Sequence, residues 1–240
     1  MEGFKAYPKK DWENQGKIVK EVVKRKEVAS GKARSNVLIL VVFDRSGSMG
    51  QNGKIVEARN GYNNFINQQK ALPGNADVTL AIFDDKYDIM YNAMDVNRIS
   101  ELKEGRIRPR GMTRLYDAIG KTINSVDDSK YDGVIVLVTT DGFENDSREY
   151  AAKDIKKLIS AKKKLGWEII FSGTDESCVS DAKKLGIENS YVYTNDGTGY
   201  TAAWSANTVC TMSYRNEEVD NPVESVTDGN NNTSVGYDED

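Results

Sequence analysis

Apolar β-branched runs and helical patterns take turns along the middle of this chain. Residues 36–43 and 133–139 are nearly unbroken apolar runs, the first reading Val37-Leu38-Ile39-Leu40-Val41-Val42-Phe43. Runs without in-and-out alternation predict strands covered on both faces, so these two are expected at the centre of a sheet. Further strands are predicted at 77–83, 87–91, 167–172 and 190–193, and helices at 55–70, 115–126, 147–164, 178–185 and 198–214. In the third helix Ile155, Leu158, Ile159 and Leu165 recur at helical spacing while lysines fill the other face, which reads as a solvated surface. Alternating strand and helix patterns predict an α/β, doubly wound, mostly parallel six-stranded sheet with helices on both faces. Only Asp84-Asp85-Lys86 separates the second and third strands. That is too short for a helical crossover, so the third strand is expected to be antiparallel and at the edge.

Charge divides the 240 residues into three parts. Residues 1–34 hold ten Lys/Arg against five Asp/Glu, and residues 216–240 hold eight Asp/Glu and no Lys/Arg. The expected organisation is a charged extension over 1–34, one domain over 35–215 and an acidic tail over 216–240. No apolar stretch approaches the roughly 20 residues of a membrane span. The lysine-rich beginning lacks the apolar segment of a secretory signal, so a cytoplasmic location is expected. A formal charge of −4 gives no reason to expect nucleic acid, which normally asks for a basic surface. Cys178 and Cys210 sit in no metal-binding spacing and read as reduced structural thiols. The chain contains no histidine, which removes Ser-His-Asp and Cys-His nucleophile systems and every His-ligated metal site.

Candidate chemistry lies where strands end. Asp44-Arg45-Ser46-Gly47-Ser48-Met49-Gly50 follows the first buried strand, at the carboxyl edge where doubly wound sheets bind ligands. Three short oxygen-bearing side chains at alternate positions converge if this turn curls around a point, and hard cations take such oxygens as ligands. Arg45 and Met49 alternate with them and are the wrong chemistry for a hard cation, so they are expected to shape the rim or the packing. Arg45 is a candidate contact for acidic groups of a partner. The fourth strand ends in Thr139-Thr140-Asp141-Gly142, which brings a second carboxylate to the same edge, and Thr113 lies in a loop just before a helix. Taken alone, Ser46, Ser48, Thr113 and Asp141 are each more often turn or helix-cap residues than ligands. Their joint placement at the ends of strands in one sheet carries the argument.

The set Asp44-x-Ser46-x-Ser48, then Thr113, then Asp141-Gly142 resembles the metal-ion-dependent adhesion site of the von Willebrand factor A family. The resemblance spans about 36–215, includes Asp117 in Leu115-Tyr116-Asp117-Ala118-Ile119, and is closest to stand-alone bacterial and phage-encoded members. One departure is Met112, where many relatives carry glycine. The resemblance implies a site for Mg²⁺, with Mn²⁺ or Ca²⁺ as alternatives. Ser46 and Ser48 would be direct ligands, Thr113 direct or water-bridged, and Asp44 and Asp141 would act directly or through water. It further implies a binding module, not an enzyme, whose ion meets an exposed Asp or Glu of a protein partner. Two other functions fit the same residues, an Mg²⁺-dependent hydrolase or phosphotransferase and a structural subunit with an unused site. Enzyme signatures fail in detail. Gly53-Lys54 has the dipeptide of a phosphate-binding loop, but Ser48 and Ile55 stand where glycine and Ser/Thr are required. Ser46 replaces the second aspartate of a haloacid dehalogenase-type phosphatase, and the nucleophile elbow is absent.

Overall fold

The structure, a computed structural model, describes residues 34–174 and 176–216. The expected charged extension and acidic tail lie outside these residues, apart from Arg34 and Asn216. Six strands form one sheet: β1 (Asn36–Asp44), β2 (Asn75–Phe83), β3 (Tyr87–Asp95), β4 (Gly133–Thr139), β5 (Glu168–Gly173) and β6 (Asn189–Val192). Their order is β3-β2-β1-β4-β5-β6, so the two unbroken apolar runs are the central pair. All neighbours run parallel except β2 and β3, and β3 is the antiparallel edge strand that its short connection requires. β3 continues to Asp95, beyond the expected end at 91, with register shifts against β2 between Val78 and Ala81.

Among the described residues five α-helices cover the sheet: α1 (Lys54–Lys70), α2 (Leu115–Asn124), α3 (Ala152–Lys163), α4 (Glu176–Lys184) and α5 (Gly197–Asn216). Successive β1 side chains point to opposite faces, which explains why the strand needs apolar residues throughout. Val37, Ile39, Val41 and Phe43 pack with α1 and α5, whereas Leu38, Leu40 and Val42 pack with α2, α3 and α4. Burying each such side chain is worth about 1.5–3 kcal/mol, so this strand anchors both cores. On the first face Trp204 of α5 stacks on Phe43 at 6.1 Å and meets the Tyr62 ring edge-on at 5.6 Å. That contact needs Gly61, because a Cβ there would collide with the Trp204 ring. A glycine inside a helix costs about 1 kcal/mol relative to alanine, and the aromatic packing of α1 against α5 offsets it.

One helix differs from its expected bounds for a reason that matters to the site. α3 begins at Ala152 rather than at 147, because a carboxylate of the preceding loop and one from α2 take up the backbone N–H groups just before it. Glu144 accepts from the N–H of Asp146 and Ser147, and Asp117 accepts from Arg148, Glu149 and Tyr150. Leu165, expected on the apolar face of α3, lies beyond the helix and is exposed. The lysine face is solvated at Lys153, Lys156 and Lys157, while Lys162 and Lys163 pair with Asp128 and Glu188. Cys178 and Cys210 are buried, and burial pushes the Cys210 thiol up to about 12. Among the described residues, no helix is long and apolar enough to cross a membrane.

Candidate metal centre

Parallel pairing of β1 with β4 sets Phe43 against Thr139, so the chain leaves both strands at one edge of the sheet. Asp44 closes β1 and is fully buried. Its carboxylate accepts from the Ser46 N–H at 2.6 Å and from the Thr140 hydroxyl at 2.5 Å. Burial pushes this carboxyl up to about 6, against the pull of these two donors, and nearby Asp141 adds to the rise. An ionised carboxylate here is therefore held at a cost that a cation would relieve.

The residues after Asp44 form a short 3₁₀ turn, Gly47–Gly50, instead of continuing as strand. Ser46 precedes this turn and Ser48 lies in it; their hydroxyls are 3.0 Å apart, and Ser48 donates to Asp141 Oδ1 at 2.6 Å. Asp44, Ser46, Ser48 and Asp141 are thus brought into one cluster. Thr113 arrives from another loop. Its N–H donates to Asn145 Oδ1 at 2.9 Å, its carbonyl accepts from the Asn145 N–H at 3.1 Å, and its Oγ1 lies 3.2 Å from where a Gly142 Cβ would stand. Gly142 keeps the approach between Thr113 and the Asp141 turn open. Gly111 has φ +69° and a Cβ there would collide with Asp85, so glycine lets this loop pass and accept from the Gly47 N–H at 3.2 Å.

All five residues expected from the sequence therefore stand at one edge of the sheet, but they are more enclosed than strand ends need to be. Asp44, Ser46, Thr113 and Asp141 are buried and Ser48 is half-buried. Among the described residues no three His, Cys, Asp or Glu side chains come together as a metal cluster. A cation at this edge would be held by two carboxylates and three hydroxyls. Such an all-oxygen, hydroxyl-rich set fits a hard divalent ion that keeps some water, and it offers no soft ligand.

Three neighbouring features were not read from the sequence. Lys54, at the start of α1, is 3% exposed and places its Nζ 2.5 Å from Asp141 Oδ2 and 3.0 Å from Asn195 Oδ1. Its sequence signal, Gly53-Lys54 just after the motif, suggested only a failed phosphate loop. Thr140 holds Asp44, although it stood next to Asp141 in the motif. Tyr193 donates from its hydroxyl to the Thr140 carbonyl at 2.9 Å, and Tyr200 places its hydroxyl 2.7 Å from Met49 Sδ. Burial raises both phenols well above their ordinary range, so they stay neutral beneath the site.

Arg45 corrects an expectation. It is 7% exposed and turned away from solvent, with Nε 2.8 Å from Asp84 and Nη2 2.5 Å from Asp88. Arg110 adds a second bond to Asp84 at 2.7 Å. Arg45 therefore ties the motif to the β2–β3 turn and is not available to meet acidic groups of a partner. Met49 packs in the core, as expected.

A family model for the von Willebrand factor type A domain matches residues 39–201. No curated protein matches the chain. Among solved structures, the chain is similar to the PilB minor pilin from Streptococcus sanguinis, with a TM-score of 0.58 and 14% identity over 80% of this chain and 64% of that one. It is similar to the vWF domain of the type V pili tip protein Mfa5 from Porphyromonas gingivalis, with a TM-score of 0.57 and 10% identity over 86% of this chain and 99% of that one. A third likeness is to proximal thread matrix protein 1 from the mussel byssus with a zinc-occupied MIDAS motif. Its TM-score is 0.55 and its identity 15%, over 73% of this chain and 46% of that one. The chain spans less than two thirds of the pilin's length and less than half of the byssal protein's. At these identities what is shared is the fold.

Proposed function

The chain belongs to the von Willebrand factor type A domain family, and from that premise we propose that it is a binding module. In this reading Asp44, Ser46, Ser48, Thr113 and Asp141 hold a divalent cation, Mg²⁺, that receives an Asp or Glu of a protein partner. The observation that carries it is the chain of contacts from Ser46 through Ser48 to Asp141 beside the buried Asp44 carboxylate. Domains of this family are adhesion and interaction modules, and the byssal protein's zinc-occupied motif supports divalent binding in this fold. Mg²⁺ is preferred because every donor is a hard oxygen, and Mn²⁺ and Ca²⁺ share that preference. When bound, the ion supplies a positive point at the edge of the sheet that attracts an anionic oxygen.

The surroundings of the site suit a protein ligand. Among the described residues, Met112 and Phe143 are two of five large hydrophobic side chains left exposed, at 50% and 46%. They come from the two loops that Asn145 joins through Thr113. An acidic residue flanked by apolar ones fits this surface better than a free small anion does. Lys54 argues against phosphate chemistry, because its ammonium is turned to Asp141 rather than outward to a phosphate.

The test is capture on the immobilised chain from an extract of its source cells. A protein retained in Mg²⁺, released by chelator and lost from a Ser46→Ala/Ser48→Ala double variant is the expected result. Changing its exposed Asp and Glu residues one at a time to amides then abolishes retention at one position. A protein retained equally by the double variant in chelator would overturn the reading.

A further inference from the structure

We propose that Lys54 is a built-in positive charge of the metal centre, which weakens the site's hold on the divalent ion and leaves the bound ion more attractive to an anionic ligand. The inference rests on the metal-binding reading above.

Lys54 occupies an unfavourable place. It is the first residue of α1, where the helix dipole disfavours a cation, and it is almost fully buried. A lysine at such a helix end normally runs its ammonium out to water. Here the ammonium turns inward and is held by the Asp141 carboxylate and the Asn195 side-chain carbonyl. Breaches of local preference of this kind cluster at functional sites.

Its neighbours make it part of the donor set. Asp141 gives one oxygen to Lys54 and the other to Ser48, whose hydroxyl lies 3.0 Å from that of Ser46. Only the width of one carboxylate separates the ammonium from the hydroxyls assigned to the ion. With Asp44 and Asp141 ionised the donors carry −2, and Lys54 reduces this to −1. A divalent ion then leaves the centre at +1 instead of neutral. Removing Lys54 takes away a like charge at close range in a poorly screened place, which corresponds to a gain in metal affinity of about tenfold or more. The same removal lowers the pull on an incoming carboxylate. A lysine that only braced the fold would give the opposite metal result, because its loss would loosen Asp141 and weaken binding.

The experiment titrates Mn²⁺ into the full chain by calorimetry and compares wild type with Lys54→Met and Lys54→Gln. Lys54→Arg keeps the charge, and Ser46→Ala/Ser48→Ala marks the site. Thermal melts in chelator report folding, and Lys54→Gln carries the test if Lys54→Met does not fold. Both neutral variants are expected to bind Mn²⁺ about tenfold or more tightly than wild type, with Lys54→Arg near or below wild type. Unchanged or weaker binding in the folded neutral variants overturns the role of Lys54, provided the double serine variant binds less well than wild type. If the double serine variant binds Mn²⁺ as wild type does, the metal-site reading itself fails, and this inference fails with it.

Discussion

The hydroxyl of Tyr200 on α5 lies 2.7 Å from the sulfur of Met49, in the turn that carries Ser46 and Ser48. Both residues are 1% exposed. The last helix thus supports the motif turn from below, through a residue that has no chemistry for a hard cation. Met49→Ala would leave a cavity and take the sulfur from a buried phenol, at about 2–5 kcal/mol. Met49→Leu, which keeps the volume, should cost less than about 1.5 kcal/mol. Urea unfolding in chelator checks both values. An alanine variant as stable as wild type would show that the contact is unimportant.

Asp44 should be a source of instability that a cation bound at the proposed site would relieve. Its folded carboxyl titrates at about 6, against 3.8 ordinarily, so the folded state holds this proton more tightly than the unfolded state does. The contribution of Asp44 to stability therefore falls as pH rises from about 4 to about 6, by up to about 3 kcal/mol. In chelator at pH 7, Asp44→Asn is expected to be more stable than wild type by about 1–3 kcal/mol, with the gap closing toward pH 4. If the site binds Mg²⁺ as proposed, added Mg²⁺ should raise the Tm of wild type and not that of this variant. An Asp44→Asn protein less stable than wild type at pH 7 in chelator would refute the burial argument.

Asp117 should organise the loop beside the candidate metal centre from a distance. Burial pushes its carboxyl up, but N–H donors from Arg148, Tyr150 and Glu149 outweigh that and hold it below the usual carboxylate range. Its stabilisation is thus present at neutral pH and lost as pH falls through the lowered value. Asp117→Ala is expected to cost about 2–4 kcal/mol at pH 7, with a smaller difference in strong acid. Hydrogen exchange should show protection lost at Arg148, Glu149 and Tyr150. If those amides stay protected in the variant, the carboxylate is not what holds them.

Arg45 should matter to folding more than to recognition. Its guanidinium joins Asp84, which is fully buried, to Asp88, and Arg110 remains to share Asp84 once it is gone. Arg45→Met is expected to cost about 2–4 kcal/mol in urea unfolding, somewhat below a fully broken buried pair because of Arg110. If the variant is as stable as wild type and instead loses partner binding, Arg45 faces the partner after all.

Much of this architecture is legible in the order of residues, because β1 and β4 must be apolar throughout to be covered on two faces. The antiparallel edge follows from the brevity of Asp84-Asp85-Lys86. Four of the five polar residues of the candidate centre stand out because they stand at or just past the ends of β1 and β4, while Thr113 comes from the loop before α2. What was not legible depends on groups distant in sequence. Arg148 to Tyr150 look helical until Asp117, from α2, takes their N–H groups. Lys54 reads only as part of a failed phosphate loop until the end of β4 delivers Asp141, and Arg45 looks like part of the rim until the end of β2 delivers Asp84. Local pattern records which face a residue prefers, but not which buried charge will meet it.

The central claim is that the turn after β1 and the end of β4 hold one divalent cation. Calorimetric titration of Mg²⁺ and Mn²⁺ into wild type and into Ser46→Ala/Ser48→Ala tests it most directly, with melts in chelator to confirm that both are folded. The account predicts one ion per chain in wild type and at least about tenfold weaker binding in the variant, since two of its ligands are gone. Equal affinity in the two folded proteins, or no binding of either ion to wild type or to Lys54→Met, would contradict it.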